Sequence, residues 1–150
     1  MLEKIDHLGI AVHSIEEAKS FYEAMGLAIH EIEEVPQEKV RVAIIPLGES
    51  RIELLEPTAD DSPIARFLEK RGPGIHHVCF ATDDVKAEGD RLRTSGYRVL
   101  RDEPTPGADH CLVNFIHPKS AGGVLTEISQ KLPHGAAEDA ASDAAGDAAG

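Results

Sequence analysis

The sequence predicts an α+β fold in which two βαβββ modules form a cupped mixed sheet. The main observation is a strand-like segment that occurs twice, as IDHLGIAV (5–12) and IHHVCFAT (75–82). Each copy carries a histidine at the same place, His7 in the first and His77 in the second. After each copy the same succession of helical and strand-like patterns follows. Similarity at a fixed spacing indicates a duplicated structural unit.

A glutamate accompanies each histidine at a similar distance along the chain. Glu53 lies in the apolar run IELLEP, and Glu127 lies in the apolar run VLTEIS. Both runs have the β-branched and apolar composition of a buried strand. Each module therefore offers one histidine on its first strand and one glutamate on its last.

The first module, about residues 3–57, begins with a strand at His7–Val12. Ser14 followed three residues later by Glu17 is a capping box that predicts a helix, and Gly26 ends that helix. Alternating or apolar runs then predict three further strands at Leu27–Glu34, Val40–Leu47 and Arg51–Glu56.

A linker at 58–74 joins the modules and contains a short predicted helix at Ser62–Lys70, with Pro63 in its first turn. The second module, about residues 75–130, repeats the order. Asp83 or Asp84 caps its helix, which ends at Gly96. Its strands are predicted at Ile75–Thr82, Tyr97–Leu100, Cys111–His117 and Gly123–Ser129.

Composition excludes several classes of function. The net charge of −12 argues against a nucleic-acid partner. We expect no membrane span, because the sequence lacks an apolar run of sufficient length. The N-terminus lacks a signal peptide pattern, so we expect a cytoplasmic protein. Cys79 and Cys111 have neither metal-like nor redox spacing, which is typical of a reducing compartment.

The last residues, 135–150, differ in composition from the rest of the chain. Half of them are alanine, and none is Val, Leu, Ile or aromatic. Such a segment cannot bury a core, so we predict a disordered tail that follows a single domain at 1–134.

Two histidines and two glutamates predict a divalent metal site. If both modules curl, His7, Glu53, His77 and Glu127 would meet as an N₂O₂ set with room for water or substrate. Such a set suits Zn, Co, Ni, Mn or Fe. Each residue alone has a plainer interpretation, since a strand histidine is often satisfied by hydrogen bonds and a buried glutamate by a cation. Side chains alternate along a strand, so register selects His77 and leaves the adjacent His76 at the surface or an interface.

At the level of motifs the chain resembles the vicinal oxygen chelate superfamily, which contains the glyoxalases, bleomycin-resistance proteins and extradiol dioxygenases. A closer resemblance, over about residues 3–130, is to the methylmalonyl-CoA epimerase family. The runs that carry it are DHLGIAV, EVPQEKVRVAIIPLG, RIELLEP, DSPIARFLEKRGPGIHHVCF, DEPTPGA and HPKSAGGVLTEI.

The resemblance implies a function and a cofactor. The expected reaction interconverts the 2R and 2S epimers of methylmalonyl-CoA by α-proton abstraction and reprotonation through a metal-stabilised enolate, within propionate metabolism. His7, His77 and Glu127 would bind the metal, often described as cobalt in this family, and Glu53 would take the fourth position. The resemblance also implies that the protein forms a homodimer.

Three further expectations concern catalysis and the substrate. Glu127 is the first candidate for an acid/base residue. Some members of the family place a second, glutamate base where this chain has Val42, so that base cannot be carried over. Lys119 and Ser120 are expected to contact the CoA part of the substrate, and Lys119 would offset the anionic phosphates.

Other functions use the same donor set. A glyoxalase I-like isomerase would need glutathione recognition. An extradiol dioxygenase would use two His and one Glu for Fe(II) and would leave Glu53 without a role. A non-catalytic small-molecule-binding protein of this fold would need no metal ligands.

Overall fold

A computed structural model describes residues 1–133 of the protein. In that part of the chain there are eight strands and three α-helices. In chain order the elements are β1 (Leu2–Ala11), α1 (Ile15–Ala24), β2 (Glu31–Val35), β3 (Val40–Leu47), β4 (Ser50–Pro57), α2 (Pro63–Arg71), β5 (Gly74–Thr82), α3 (Val85–Thr94), β6 (Thr105–Pro106), β7 (Cys111–Ile116) and β8 (Thr126–Lys131). The predicted βαβββ order therefore occurs twice along the chain, which confirms the α+β class.

The chain divides into two compact units. The first unit comprises residues 5–79, and the second comprises residues 1–4 together with the chain from residue 80 onward. The unit boundaries fall within β1, between residues 4 and 5, and within β5, between residues 79 and 80. The predicted division into modules at 3–57 and 75–130 stays a prediction, as does the single domain at 1–134. The predicted tail at 135–150 lies outside the described residues.

In the first unit the sheet is mixed. Strands β2, β3 and β4 form an antiparallel ladder, and β1 pairs in parallel with β4. The register of β1 and β4 sets His7 beside Arg51 and Gly9 beside Glu53. Because partners in a ladder share a face of the sheet, this register brings the side chains of His7, Arg51 and Glu53 together.

Side-chain caps fix the start of each helix, as the sequence predicts for α1 and α3; for α2 the sequence predicts the cap Ser62 only as the first helical residue. Ser14 accepts a hydrogen bond from the Glu17 amide at 3.3 Å. Ser62 and Asp84 accept equivalent bonds from the amides three residues on, both at 3.0 Å. These bonds satisfy amides that have no partner inside the helix.

Each unit has its own apolar core. In the first unit, α1 packs on the sheet through a buried cluster of Val12, Ile15, Ala43, Ile45 and Leu54. In the second unit, α3 packs on β7 and β8 through Val85, Ile116 and Ile128. Such clusters exclude water from the strands that each helix covers and hold those strands in register.

Four predicted strands are wrong in extent. The first begins at Leu2 and not at His7, and the last is Thr126–Lys131 and not Gly123–Ser129. In place of Leu27–Glu34 the strand is Glu31–Val35; Leu27 and Ile29 instead pack on the core of the first unit from irregular backbone. In place of Tyr97–Leu100 there is one bridge, Val99 with Ile116. The short strand β6 follows at Thr105–Pro106, between two predicted strands.

No helix in residues 1–133 is long and apolar enough to cross a membrane.

Candidate metal centre

Two histidines from the two copies of the repeated strand meet inside the first unit. His7 lies on β1 and His77 on β5. Both are buried, with exposed fractions of 4 % for His7 and 5 % for His77. The Nε2 atoms of the two rings are 3.0 Å apart. The ring planes are nearly perpendicular, at 84°. Buried imidazoles whose nitrogens converge in this way could bind one metal ion.

On its other side, the ring of His7 meets two carboxylates. Nδ1 of His7 is 2.7 Å from Oδ2 of Asp6 and 3.1 Å from Oε2 of Glu53. One guanidinium nitrogen of Arg51 contacts the same two oxygens, at 2.8 Å and 3.0 Å. Arg51 thus offsets the charge of two carboxylates in an environment where an unpaired one would be costly.

The ring of His77 occupies a space that only glycine leaves open. A Cβ atom at Gly9 would lie 2.2 Å from Cε1 of His77 and 2.7 Å from its Nε2. Gly9 lies two positions after His7 on β1. Because Gly9 has no side chain, the His77 ring can approach the β1 backbone.

The second ring nitrogen of His77 also has a partner. Nδ1 of His77 lies 2.9 Å from Nδ1 of His76. The His76 ring packs edge-on against Phe67 of α2, with centroids 5.1 Å apart. The half-buried ring of His76 thus contacts His77, and its predicted place at the surface or an interface stays a prediction.

The distance between the histidines fits a bound divalent metal. Metal–imidazole bonds are about 2.0–2.1 Å long, so two nitrogens at a right angle around one ion are about 3.0 Å apart, whereas a tetrahedral angle separates them by about 3.4 Å. The 3.0 Å between the two Nε2 atoms is close to both values, so both nitrogens could bind one ion. His7 and His77 therefore suit a divalent metal such as Zn²⁺, Co²⁺, Ni²⁺, Mn²⁺ or Fe²⁺.

A second group of donors overlaps the first. Asp6, His7 and Cys79 each offer one ligand atom, and these atoms lie within 4.8 Å of one another. Within this group, Asp6 contacts Nδ1 of His7, the nitrogen that also faces Glu53. A carboxylate only accepts hydrogen bonds, so Nδ1 carries the proton and Nε2 carries the lone pair. This lone pair faces His77, which favours the pair formed by His7 and His77 as the candidate metal nucleus.

The other predicted site residues lie in the second unit. Glu127 is on β8, opposite Phe115 of β7, and is 7 % exposed. Lys119 is exposed in a short 3₁₀ turn, Pro118–Ser120. The hydroxyl oxygen of Ser120 accepts a hydrogen bond from the Arg98 amide at 3.0 Å.

Ser120 also lines a cavity of about 200 Å³ in the second unit. The walls of this cavity are mainly apolar and include Leu92, Ile116 and Ile128, with Glu88 and Arg91 of α3 among the lining residues. Arg91 and, to a smaller extent, the N-terminal ammonium group hold the pKa of Glu88 below its usual value of 4.5. Glu88 thus stays ionised although it is buried.

Val42 occupies a place in the hydrophobic core. It lies on β3 of the first unit, is 3 % exposed and pairs with Leu55 of β4. An apolar side chain at this position can neither take up nor deliver a proton.

Comparison with known proteins defines the class. The family model described as the Glyoxalase/Bleomycin resistance protein/Dioxygenase superfamily matches residues 6–115, and the chain belongs to that superfamily. The match includes His7, Glu53 and His77. The βαβββ order that occurs twice in residues 1–133 agrees with this superfamily and with the fold predicted from the sequence.

Individual relatives narrow the class. The chain is 41% identical over 133 residues to the ethylmalonyl-CoA/methylmalonyl-CoA epimerase of Cereibacter sphaeroides, covering 87% of this chain and 99% of that protein. It is 40% identical to mitochondrial methylmalonyl-CoA epimerase of Mus musculus, over 86% of this chain and 74% of the relative. Within the superfamily, the chain therefore groups with the methylmalonyl-CoA epimerases, which are isomerases.

Solved structures agree with this grouping. A variant of the Streptomyces coelicolor methylmalonyl-CoA epimerase, in complex with 2-nitronate-propionyl-CoA, matches with a TM-score of 0.85 and 39% identity. The match covers 87% of this chain and 96% of that one. The predicted superfamily, family and enzyme class are thus confirmed, whereas the roles of individual residues stay predictions.

Proposed function

We propose that the protein interconverts the 2R and 2S epimers of methylmalonyl-CoA with the help of a bound divalent metal. The observation that carries this proposal is the pair of buried histidines, with Nε2 atoms 3.0 Å apart, in a chain about 40% identical to named epimerases. Neither a nucleic acid nor a membrane has a part in this chemistry.

The metal would be held by His7, His77, Glu53 and Glu127, and cobalt is the expected ion. Glu53 would use Oε1, since its Oε2 contacts Arg51 and His7. Charge supports a divalent ion: the carboxylates of Asp6, Glu53 and Glu127 with the guanidinium of Arg51 leave two net negative charges. The support for adding Glu127 is its place in the duplicated sequence pattern.

The reaction begins with removal of a proton from carbon. The α-carbon of methylmalonyl-CoA lies between a thioester and a carboxylate, so its proton is more acidic than that of an ordinary ester. A bound divalent metal would act as a Lewis acid toward the negative charge that develops on oxygen. Glu127 would take the α-proton on one face, and delivery of a proton to the opposite face would complete the inversion.

The second proton donor is not at Val42, because that side chain is apolar and buried. A water molecule or another carboxylate would serve the second face. The Streptomyces relative supports an enolate in such a reaction, since it binds a nitronate compound. A nitronate, like an enolate, is planar at carbon and carries its charge on oxygen.

Lys119 and Ser120 would contact the CoA part of the substrate. The chain has a net charge of −12, so an anionic substrate needs local cations on its path. Lys119 is exposed and can offer a cation to a phosphate group. We also expect a homodimer in the cytoplasm that serves propionyl-CoA breakdown or its reverse.

The proposal is tested by measuring conversion of each epimer before and after removal of metal with a chelator. Conversion should stop without metal and return with Co²⁺. His7→Ala should abolish both metal binding and conversion, whereas the exposed His13→Ala serves as the matched control and should change neither. Conversion of a glutathione hemithioacetal, with no conversion of either epimer, would identify a glyoxalase I-like enzyme instead.

A further inference from the structure

In each copy of the repeated strand, the residue directly before the metal histidine contacts that histidine. Asp6 precedes His7, and its Oδ2 is 2.7 Å from Nδ1 of His7. His76 precedes His77, and the two Nδ1 atoms are 2.9 Å apart. In both copies the neighbour thus occupies Nδ1 and leaves Nε2 facing the other histidine.

We propose that Asp6 and His76 are positioning residues that accept the Nδ1 protons of His7 and His77 and so direct both Nε2 lone pairs at the metal. The inference rests on the metal centre proposed above. A neutral imidazole has one proton, so a partner that holds this proton at Nδ1 fixes which nitrogen can bind an ion. Partners of this kind also fix the orientation of the ring.

The partner of His7 is itself held in place. Arg51 contacts Oδ2 of Asp6 at 2.8 Å, and the side chains of Arg51 and Asp6 are only 18 % and 15 % exposed. A charged contact of this length with limited access to water restrains the carboxylate. Arg51 therefore supports the orientation of His7 through Asp6.

The partner of His77 is neutral, and an aromatic contact holds it. When Nε2 of His77 binds an ion, the remaining proton must be on Nδ1, so Nδ1 of His76 accepts it. His76 meets Phe67 edge-on at 5.1 Å, and the guanidinium of Arg71 lies 5.7 Å from the same Phe67 ring. Helix α2, which carries Phe67 and Arg71, thus supports one metal histidine.

The test compares variants that remove each acceptor with variants that keep one. Asp6→Ala and His76→Phe remove the acceptor, and the phenyl ring retains the packing on Phe67. Asp6→Asn and His76→Asn keep an amide oxygen that can accept. Asp60→Ala and His13→Phe are the controls at exposed positions. Affinity for Co²⁺ is measured by competition with a chromophoric chelator, without substrate.

Asp6→Ala and His76→Phe should each bind Co²⁺ roughly 10–100-fold more weakly than the unmodified protein. The asparagine variants should recover most of this loss, and the controls should bind normally. Nitrogen NMR of the Zn²⁺-loaded protein should show protonated Nδ1 and metal-bound Nε2 in both His7 and His77. In the metal-free protein, Nδ1 of His7 should already carry the proton.

Three results would overturn the proposal: normal affinity of Asp6→Ala and His76→Phe, asparagine variants as weak as these two, or a metal bound through Nδ1. A protein that binds neither Co²⁺ nor Zn²⁺ would overturn it as well. The proposed function fails separately, when the unmodified protein binds metal as described but does not epimerise methylmalonyl-CoA.

Discussion

Nε2 of His7 lies 3.0 Å from Nε2 of His77, although seventy residues separate the two histidines in the chain. The two residues occupy corresponding places in a duplicated strand. Gly9, two residues after His7, makes this approach possible. The duplication therefore supplies the two donors, and Gly9, whose counterpart in the second copy is Cys79, supplies the space in which they meet.

Gly9→Ala should displace the His77 ring, because its Cβ would lie 2.2 Å from a ring carbon. We expect weaker Co²⁺ binding and a loss of about 1–3 kcal/mol in the free energy of unfolding, as for other overpacked sites. Metal competition and urea denaturation measure the two effects.

The matched control is Gly89→Ala in α3, where the nearest atoms to a new Cβ are 3.8 Å away. A helical Gly→Ala change of this kind should leave metal binding unchanged and stabilise the protein by about 0.4–1 kcal/mol. Normal Co²⁺ affinity in Gly9→Ala would show that the His77 ring has room to move without consequence.

The sequence predicts the main part of the fold because its signals are local. The cap residues Ser14, Ser62 and Asp84 mark helix starts with bonds to amides three residues on. The segment that begins at Leu27 is harder to predict. Its alternating pattern arises because Leu27 and Ile29 pack on the core, and packing of irregular backbone leaves the same periodicity as a strand.

The candidate site also contains residues that the sequence identifies and residues that only the structure identifies. Duplication alone identifies His7 and His77, whereas Asp6 and Arg51 become visible only through the register of β1 with β4 and the distances to Nδ1 of His7. Gly9 could have been found from the sequence, since a glycine inside a strand often marks a close approach. The contact of His76 with His77 could not, because strand alternation places adjacent side chains on opposite faces.

Cys79→Ser distinguishes the two overlapping donor groups. If His7 and His77 form the metal nucleus, this change should leave the affinity for Co²⁺ and the rate of epimerisation nearly unchanged, since Cys79 is then only a buried core residue. Zn²⁺ and Cd²⁺ affinities provide the sharper comparison, because thiolates favour soft ions. A large selective loss of Cd²⁺ binding would instead support the group of Asp6, His7 and Cys79.

Glu127→Gln tests the proposed base. The change retains the shape and one oxygen donor but removes the basic carboxylate, and general acid–base contributions are roughly 10²–10⁴-fold. We expect a loss of at least that order in epimerisation, with part of the metal retained. Exchange of the α-proton should become unequal for the two epimers, since one face loses its base. Equal residual exchange at full metal content would make Glu127 a ligand only.

Glu88 gives a pH-dependent contribution to stability. Arg91 and the N-terminal ammonium lower its pKa below 4.5, so the ionised form stabilises the folded state. This contribution is present above the unfolded pKa and is lost as the pH falls through the lower, folded pKa. Glu88→Gln should therefore destabilise the protein at pH 7, by an amount on the order of 1 kcal/mol, and have little effect below the folded pKa. Denaturation of both proteins across that range measures this, and an equal effect at all pH values would exclude a charge interaction.

The most direct test of the central claim is exchange of the substrate's α-proton with solvent. Each epimer of methylmalonyl-CoA is incubated in D₂O with the Co²⁺-loaded protein, and deuterium at the α-carbon is followed by NMR together with the ratio of epimers. The proposed function predicts that deuterium enters both epimers and that the final ratio of epimers is the same from either starting material. It predicts no exchange in the metal-stripped protein or in His7→Ala. Unchanged epimers without deuterium, in a protein that retains its metal, would contradict it.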